Sequence, residues 1–235
     1  MELDPHAIDA VLLDSGGVLL LPSPDSMRRL LGELGARPDD DLCARAHYAG
    51  TREVDRIGEA DWPAADMALA RVAGVPEERL AEAIPLLDQV YVKEPWVAVP
   101  GAAEALLDLE AAGYALAVVS NAFGTMEEYL AEHRICRVGG GPAAHVAIVV
   151  DSQVVGVEKP DPRIFEIALE ELGADPARCI YVGDTVLFDI VGARAAGIPP
   201  VHVDPYGFCP FDDHPHIGSV AELADLLCTR PAAGD

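Results

Sequence analysis

The polar residues best suited to chemistry follow short apolar runs of this sequence. Asp14, Ser120 and Asp184 each stand at the end of such a run, Asn121 comes directly after Ser120, and Lys159 lies in a Glu-Lys-Pro-Asp-Pro loop. Two carboxylates at strand ends can hold a hard cation such as Mg²⁺, which prefers few protein oxygens, water and substrate phosphate. The hydroxyl and the amide can hydrogen-bond phosphate oxygens, and a lysine supplies a point charge that neutralises phosphate.

Two further observations strengthen this interpretation. Asp189, five residues after Asp184, is a third acid for the cation. The chain has 14 arginines but only two lysines, Lys93 and Lys159. Arginine therefore fills almost every generic basic position, which marks Lys159 as a specific one. A carboxylate in such a set can also act as a nucleophile and form an aspartyl phosphate.

Alternating strands and helices must position these residues. Apolar runs too short for helices predict buried strands at 10–13, 116–119, 146–150, 179–182 and 201–203. Amphipathic patterns predict helices over 101–112, 162–172, 186–196 and 219–227. This alternation predicts an α/β fold, a Rossmann-like doubly wound parallel sheet. If the strands are neighbours, their polar ends converge on one crevice at the carboxyl edge of the sheet.

Residues 22–98 interrupt the alternation. Helical patterns recur there, around 26–34, 40–49, 64–73 and 77–92, without a convincing strand. We predict a core domain of residues 1–21 and 99–235 and an inserted all-helical cap domain of residues 22–98. In the cap, a solvated helix face explains four polar residues at least as well as substrate contact does. These residues are His47, Tyr48, Arg52 and Arg56.

The composition argues against several classes of protein. With 40 acidic and 16 basic residues, the formal charge is −24, which repels the phosphate backbone of nucleic acids. The hydrophobic fraction of 51% argues against a disordered chain. Five cysteines without a CxxC pair argue against a disulfide framework or structural zinc and favour the reducing cytoplasm. No secretory signal and no membrane-spanning stretch are expected.

Two further segments receive less specific interpretations. The run Asp212-Asp213-His214-Pro215-His216 resembles a small metal cluster. We interpret it as a solvated loop, because no second set of ligands is evident in the sequence. Residues 230–235 are expected to form a frayed tail.

The order of these motifs resembles that of the haloacid dehalogenase (HAD) superfamily. The resemblance covers residues 8–20 and 99–205 and is densest in VDSQVVGVEKPDPRIFEIALEELG and CIYVGDTVLFDIVGARAAG. The helical insertion after the first strand is similar to the α-helical cap of that family. The family's ordered signature falls here on Asp14, Ser120, Lys159, Gly183-Asp184 and Asp189.

This resemblance implies a phosphatase-like, Mg²⁺-dependent hydrolase of a small phosphorylated metabolite, with a cap that closes over the site and selects the substrate. We expect a monomer or homodimer in the cytoplasm, without nucleic-acid or membrane partners. The implied site comprises the nucleophile Asp14, the phosphate-binding residues Ser120 and Lys159, and the metal ligands Asp14, Gly16 through its backbone carbonyl, Asp184 and Asp189.

One position departs from the family pattern. Phosphatases of the family carry Asp-x-Asp, in which the second Asp is the general acid and base, whereas this chain reads Asp14-Ser15-Gly16. General acid–base groups contribute about 10²–10⁴-fold to the rate, so ordinary alkyl phosphates are expected to react slowly. Two alternatives therefore stay open. One is a non-catalytic or regulatory relative that binds a phosphorylated ligand, and the other is a HAD enzyme of different chemistry, such as dehalogenation.

Overall fold

The structure is a computed structural model that describes residues 3–139 and 141–228. The predicted tail, 230–235, lies outside these residues. In chain order the strands are β1 (Ala10–Leu13), β2 (Leu20–Pro22), β3 (Trp96–Ala98), β4 (Ala115–Ser120), β5 (Cys136–Val138), β6 (Ala144–Val146), β7 (Val149–Asp151), β8 (Cys179–Gly183), β9 (Pro200–Val203) and β10 (His216–Ile217). The α-helices are α1 (Pro24–Gly32), α2 (Asp40–Ile57), α3 (Trp62–Val72), α4 (Leu80–Lys93), α5 (Ala102–Ala111), α6 (Met126–Glu132), α7 (Ser152–Val155), α8 (Pro162–Leu172), α9 (Val191–Ala195) and α10 (Val220–Cys228).

The chain divides into two compact units. The core unit contains the chain up to Leu19, Ala98–Pro205 and the chain from Phe211 onwards. The helical unit contains Leu20–Val97 together with the short segment Tyr206–Pro210, which the sequence analysis assigned to the core domain. Within the described residues, no helix has both the length and the apolar character needed to span a membrane.

A six-stranded parallel sheet forms the centre of the core unit. Its strand order is β10-β9-β8-β1-β4-β7. The central strand β1 pairs in parallel with β4 on one side and with β8 on the other. All four residues of β1 are buried, which explains why its sequence is apolar on both faces. The predicted α/β fold with a parallel sheet is confirmed.

Helix α8 covers one face of this sheet. Ile164 and Phe165 of the helix pack in a buried cluster with Leu12 of β1 and Tyr181 of β8. The ring of Phe165 meets the ring of Tyr181 edge to face, with centroids 4.8 Å apart. Packing at this face therefore fixes the side chain of Tyr181, whose hydroxyl belongs to the candidate site.

Two predicted elements of the core unit differ in the structure. The predicted strand 146–150 is divided, because Val146 pairs with Val138 in a separate two-stranded sheet, β5–β6, before β7 begins. The predicted helix 186–196 begins with a π-helical turn, Val186–Ile190, and continues as α9. An apolar run and an amphipathic pattern reveal burial, but neither reveals a change of pairing partner or an additional residue in a turn.

The helical unit contains α1 to α4, whose buried residues include Leu31, Ala46, Leu69 and Leu87. The strands β2 and β3 pair at the two ends of this segment, where the sequence analysis expected no strand. Three-residue strands are too short to show a periodicity of two.

Helix α2 is longer than predicted and continues to Ile57, although the prediction ended it at Ala49. The reason is Gly50, which is part of the helix interface and does not end the helix. A Cβ atom at Gly50 would lie 3.3 Å from the backbone oxygen of Ala65 in α3, so the glycine permits a close approach of the two helices.

The polar residues singled out in this unit have partners inside it. His47 and Tyr48 are buried, so a solvated helix face describes neither of them. The Nε of Arg52 donates to the backbone oxygen of Phe208 at 2.8 Å. Arg56 makes a two-point ion pair with Glu53 of the same helix. His47 Nδ1 lies 2.8 Å from the Tyr91 hydroxyl, and the ring of Tyr48 meets that of His47 edge to face, so all four residues have partners within the helical unit.

Candidate active site

The carboxyl ends of three neighbouring strands bring the predicted residues together. Strand β1 lies between β4 and β8; Asp14 follows β1, Ser120 ends β4 and Asp184 follows β8. All three side chains are buried. The carboxylates of Asp14, Asp184 and Asp189 each place one oxygen within 4.8 Å of the others. This is the edge at which open α/β sheets bind ligands.

Lys159 lies at the centre of the polar cluster. Its Nζ is 2.9 Å from Asp14 Oδ1 and 2.7 Å from Asp189 Oδ1, and it donates to the Tyr181 hydroxyl at 3.1 Å. The side chain is 3% exposed. An ammonium group has three N–H donors, and here each has an oxygen acceptor. Lys159 is therefore a buried member of the site rather than a solvated lysine of a loop.

Burial and charge set the protonation states of this cluster. Burial raises the pKa of Asp14 to about 7, against the opposing attraction of Lys159. Burial also acts to raise the pKa of Asp189, but the charge and hydrogen bond of Lys159 outweigh it and hold that pKa below its usual range. Burial alone would lower the pKa of Lys159, yet the two carboxylates raise it. Lys159 and Asp189 therefore form a charged pair, and Asp14 is the carboxylate of this pair of acids whose pKa is raised.

The carboxylate of Asp189 is fully engaged with the protein. Its Oδ2 accepts from the backbone N of Thr185 at 3.0 Å and from the Thr185 hydroxyl at 2.7 Å. Its Oδ1 accepts from Lys159 and, at 3.1 Å, from the Tyr181 hydroxyl. A Cβ at Gly183 would lie 2.3 Å from Asp189 Cβ, so only glycine fits there. These bonds support a role in holding Lys159, whereas direct metal ligation by Asp189 stays a prediction.

Gly17 is a site residue that the sequence analysis missed. Its φ of +67° lies in the left-handed region that favours glycine, and a Cβ there would lie 2.3 Å from Asp184 Oδ2. The backbone at Gly17 thus lies directly against the carboxylate of Asp184. The two adjacent glycines after the first strand were a signal in the sequence, but their pattern did not show which one has this contact.

Ser120 and Asn121 have partners inside the protein. The hydroxyls of Ser120 and Ser15 are 2.5 Å apart. The side-chain oxygen of Asn121 accepts from the backbone N of Lys159 at 2.8 Å, and its amide donates to the Lys159 oxygen at 3.1 Å. Asn121 therefore fixes the backbone of the lysine loop. Phosphate binding by Asn121 stays a prediction, since its observed contacts are with Lys159.

Several other polar residues of the site were not predicted. Ser15, Tyr181 and Thr185 contact the predicted residues, and Asp151 orders the loop after β4 by accepting from the backbone N of Gly124 at 2.8 Å. In the sequence, Tyr181 was recognisable as the residue of an apolar strand whose side chain carries a hydroxyl group. Asp151 directly follows the predicted strand 146–150, which is the signal that marked Asp14, whereas Ser15 and Thr185 are short side chains in turns, where the sequence offers no spacing signal.

The donor set fits a hard divalent cation. Asp14 and Asp184 supply carboxylate oxygens, which Mg²⁺ prefers, on neighbouring strands. The missing Cβ of Gly17 leaves the space that the Asp184 carboxylate itself occupies. The backbone carbonyl of Gly16, in the same turn, stays a predicted third ligand.

Comparison with known proteins identifies the family. The family model of haloacid dehalogenase-like hydrolases matches residues 8–197. The chain belongs to this family. A phosphoglycolate phosphatase of Xylella fastidiosa is 31% identical over 227 residues, which cover 94% of this chain and 89% of the relative.

Other HAD relatives match over a shorter length. The haloacid dehalogenase-like hydrolase domain-containing protein 3 of Mus musculus is 37% identical over 132 residues, 54% of this chain and 49% of the relative. A phosphoserine phosphatase of Thermus thermophilus is 35% identical over 139 residues, 58% of this chain and 51% of the relative. The chain thus spans about half the length of these two curated relatives.

Solved structures share the HAD fold with this chain. A HAD phosphatase from Thermococcus onnurineus superimposes with a TM-score of 0.57 at 21% identity, covering 94% of this chain and 98% of the other. A dehalogenase superimposes with a TM-score of 0.58 at 23% identity, covering 95% and 98%. A phosphatase and a dehalogenase fit almost equally well, so this likeness shows the fold and leaves the reaction to the residues of the site.

Proposed function

We propose that this HAD protein is a Mg²⁺-dependent hydrolase that removes the phosphoryl group of a small phosphorylated metabolite. The observation that carries the proposal is the buried contact between Asp14 Oδ1 and Lys159 Nζ, which are 2.9 Å apart. Ser120 and Asp184 lie at the ends of the two strands that flank β1. The phosphoglycolate and phosphoserine phosphatases among the relatives are named for small phosphorylated substrates, which supports this class of substrate.

In the proposed reaction, a carboxylate oxygen of Asp14 attacks the phosphorus atom. The bond from phosphorus to the leaving oxygen breaks, and its electron pair leaves with that oxygen. Water then attacks the aspartyl phosphate, which releases inorganic phosphate and restores Asp14. Lys159 offsets negative charge at the phosphoryl oxygens, and the hydroxyl of Ser120 donates a hydrogen bond to one of them. A Mg²⁺ ion held by Asp14, Asp184 and the Gly16 carbonyl would supply further positive charge next to the phosphate.

Two residues in this proposal act through Lys159. Asp189 binds the Lys159 ammonium, and Asn121 binds its backbone on both sides of the residue. We assign both as positioning residues, because their polar atoms contact Lys159. A lysine held from the side chain and from the backbone keeps its charge in place without reorganisation during the reaction.

Gly16 makes the proposed enzyme atypical. Where family phosphatases have a second Asp, this chain has no side chain, so the leaving oxygen departs largely without a proton from the protein. Leaving groups of low pKa need that proton least. We therefore assign a preference for acyl phosphates, anhydrides and activated esters over simple alkyl phosphates. The predicted cytoplasmic location and the predicted monomeric or homodimeric state stay predictions.

The test measures phosphate release from a panel of small phosphorylated compounds. Asp14→Asn is expected to abolish release while leaving the melting temperature nearly unchanged. The matched control is Asp108→Asn, an exposed aspartate of α5 outside the site, which should retain wild-type activity. EDTA should remove the activity, and added Mg²⁺ should restore it.

Three results would contradict the proposal. Wild-type turnover by Asp14→Asn, after deamidation back to Asp is excluded, would show that Asp14 is not the nucleophile. Tight phosphate-analogue binding without turnover of any compound would favour the regulatory alternative. Cleavage of carbon–halogen bonds in EDTA, without phosphate release, would favour the dehalogenase alternative.

A further inference from the structure

Three histidines of the core unit form a cluster at the edge of the sheet. His202 lies in β9 and His216 in β10, and the two residues are direct partners in the parallel pairing. His214 precedes β10, and the centroids of the three rings lie 4.7–5.2 Å apart. Each ring places one nitrogen within 4.8 Å of a nitrogen of the other two. The sequence analysis interpreted the 212–216 segment as a solvated loop without a second set of ligands. For His214 that interpretation is wrong, because its side chain is buried and lies beside His202, a histidine outside the segment.

The outer hydrogen bonds of two rings determine their tautomers. His202 Nε2 is 3.1 Å from the backbone oxygen of Asp184, and His214 Nδ1 is 2.6 Å from Asp213 Oδ1. A carbonyl and a carboxylate oxygen only accept hydrogen bonds, so both of these ring nitrogens carry the hydrogen. In their neutral forms, each ring then has its lone pair on the other nitrogen.

These two lone pairs point towards each other. His202 Nδ1 and His214 Nε2 are 3.1 Å apart. Two facing lone pairs repel, unless a proton or a metal ion lies between them. A proton there would make one of these two buried rings an imidazolium.

A metal ion agrees with both the distance and the outer contacts. Two nitrogens bound to one tetrahedral Zn²⁺, at about 2.0–2.1 Å each, lie about 3.3 Å apart, close to the observed separation. Metal-binding histidines characteristically donate their other N–H to a carboxylate or a backbone carbonyl, as His214 does to Asp213 and His202 does to Asp184. Neutral imidazole nitrogen suits Zn²⁺, Cu²⁺ and Ni²⁺ better than it suits Mg²⁺.

We propose that His202, His214 and His216 bind a divalent transition-metal ion of the Zn²⁺ class, at a site separate from the carboxylate cluster. Its three nitrogen donors leave one tetrahedral position for a fourth ligand. The ion joins the edge strand β10, its neighbour β9 and the segment before β10. Through the hydrogen bond from His202 Nε2 to the Asp184 backbone, it also fixes the turn that presents the Asp184 carboxylate. This inference does not depend on the proposed hydrolase activity.

The test is a Zn²⁺ titration of the metal-free full-length protein by calorimetry, in buffer with excess Mg²⁺. We expect one Zn²⁺ per chain, with nitrogen neighbours at about 2.0 Å in the X-ray absorption spectrum. His216→Ala, at an exposed position of the edge strand, should weaken binding by at least about 10-fold. Asp213→Asn keeps all three ligands and should weaken it by about 10-fold, because a neutral amide oxygen replaces the charged carboxylate as the acceptor from His214 Nδ1.

Two variants are the controls. His145→Ala removes another exposed histidine of the core unit, and Asp184→Asn changes the carboxylate cluster while retaining its backbone carbonyl. Both should bind Zn²⁺ as the wild type does. Equal affinity in His216→Ala and wild type, loss of the site in Asp184→Asn, or no stoichiometric Zn²⁺ binding to the folded wild type would each overturn the proposal.

Discussion

Asp184 and Asp189 are residues of the same type, five positions apart, with different surroundings in the structure. Both carboxylate oxygens of Asp189 accept hydrogen bonds, from Thr185, Tyr181 and Lys159. Asp184 has the backbone of Gly17 directly beside its carboxylate. The contacts of each side chain therefore distinguish Asp189, which holds the lysine, from Asp184, which we propose as a metal ligand.

The substitution that best tests the chemistry is Gly16→Asp. Without a carboxyl group at this position, wild-type kcat/KM should fall steeply as the pKa of the leaving group rises. Gly16→Asp should raise kcat/KM for an alkyl phosphate by about 10-fold or more, because it restores a general acid. The measurement compares a nitrophenyl and an alkyl phosphate in both proteins.

Gly16→Ala is the matched control, since it removes the glycine without adding a carboxylate. It should leave the ratio of kcat/KM for the nitrophenyl phosphate to kcat/KM for the alkyl phosphate unchanged. A flat dependence on the leaving group in the wild type, with no gain in Gly16→Asp, would refute this explanation and indicate a proton donor from elsewhere.

A second substitution tests the contact between Gly17 and Asp184. Gly17→Ala should displace the Asp184 carboxylate and weaken Mg²⁺ binding by about 10-fold or more, measured by calorimetry. It should also destabilise the fold by about 1–3 kcal/mol, because its positive φ disfavours alanine. The control is Gly173→Ala, whose φ is +60° with nothing within 4 Å of the added Cβ.

Gly173→Ala should show the cost in stability without the loss of Mg²⁺ affinity. If both variants lose the same stability and neither changes Mg²⁺ binding, the close approach of Gly17 to Asp184 has no role in the metal site.

At the scale of elements, the π-helical turn Val186–Ile190 determines the position of Asp189. The backbone N of Asp189 and that of Ile190 both donate to the Thr185 oxygen at 3.2 Å. The wider turn accommodates one more residue than an α-helical turn, and such turns are frequent at functional sites. Gly183 completes the arrangement, because Asp189 occupies the space of its missing Cβ.

Helix α3 contains a buried acid that makes stability depend on pH. Burial raises the pKa of Asp66 to about 7, and the charge of Asp88 adds to this effect. Below pH 4 the carboxyl is neutral in both the folded and the unfolded chain. Between pH 4 and 7 the unfolded chain loses the proton while the folded chain keeps it, so stability decreases as pH rises. Each pKa unit corresponds to about 1.4 kcal/mol.

Asp66→Asn removes the carboxyl group and with it the loss of stability at higher pH. It should raise the melting temperature by several degrees at pH 8 and lose that advantage as the pH falls towards 4, measured by calorimetry across the range. Asp88→Asn should give a smaller gain with the same pH dependence. The exposed control Asp108→Asn should give none. A gain from Asp66→Asn that is equal at pH 4 and pH 8 would show that titration of Asp66 is not its cause.

At the scale of the whole molecule, the charge of −24 opposes folding. Like charges on a compact surface repel, and salt screens them over a Debye length that falls from about 30 Å at 0.01 M to about 8 Å at 0.15 M. The melting temperature should therefore rise by several degrees between 10 and 200 mM NaCl. The melting temperature of Asp184→Asn, without added Mg²⁺, should rise by the same amount, because the salt screens charges over the whole surface and not those of one site.

KCl should act as NaCl does, since screening depends on ionic strength. A melting temperature that stays constant or falls over this range would show that repulsion between surface charges does not limit the stability of the folded chain.

The sequence by itself determined the layered α/β fold and brought out the main residues of the candidate site. Apolar runs on both faces of a strand require burial between helices, and Asp14, Ser120 and Asp184 stand where those runs end. Strand ends in a parallel sheet lie at one edge, so a local pattern was enough to place them together. The scarcity of lysine singled out Lys159 before its contacts were known.

Only the tertiary structure decided the contacts between residues distant in the chain. It showed that the carboxylate oxygens of Asp189 accept hydrogen bonds from the protein. It also placed the backbone of Gly17 against Asp184 and the ring of His202 beside that of His214. It also showed Gly50 inside α2, where the sequence indicated the end of a helix. Periodicity and spacing describe the surroundings of a residue along its own element, whereas these features depend on register and close packing between elements, which no local pattern contains.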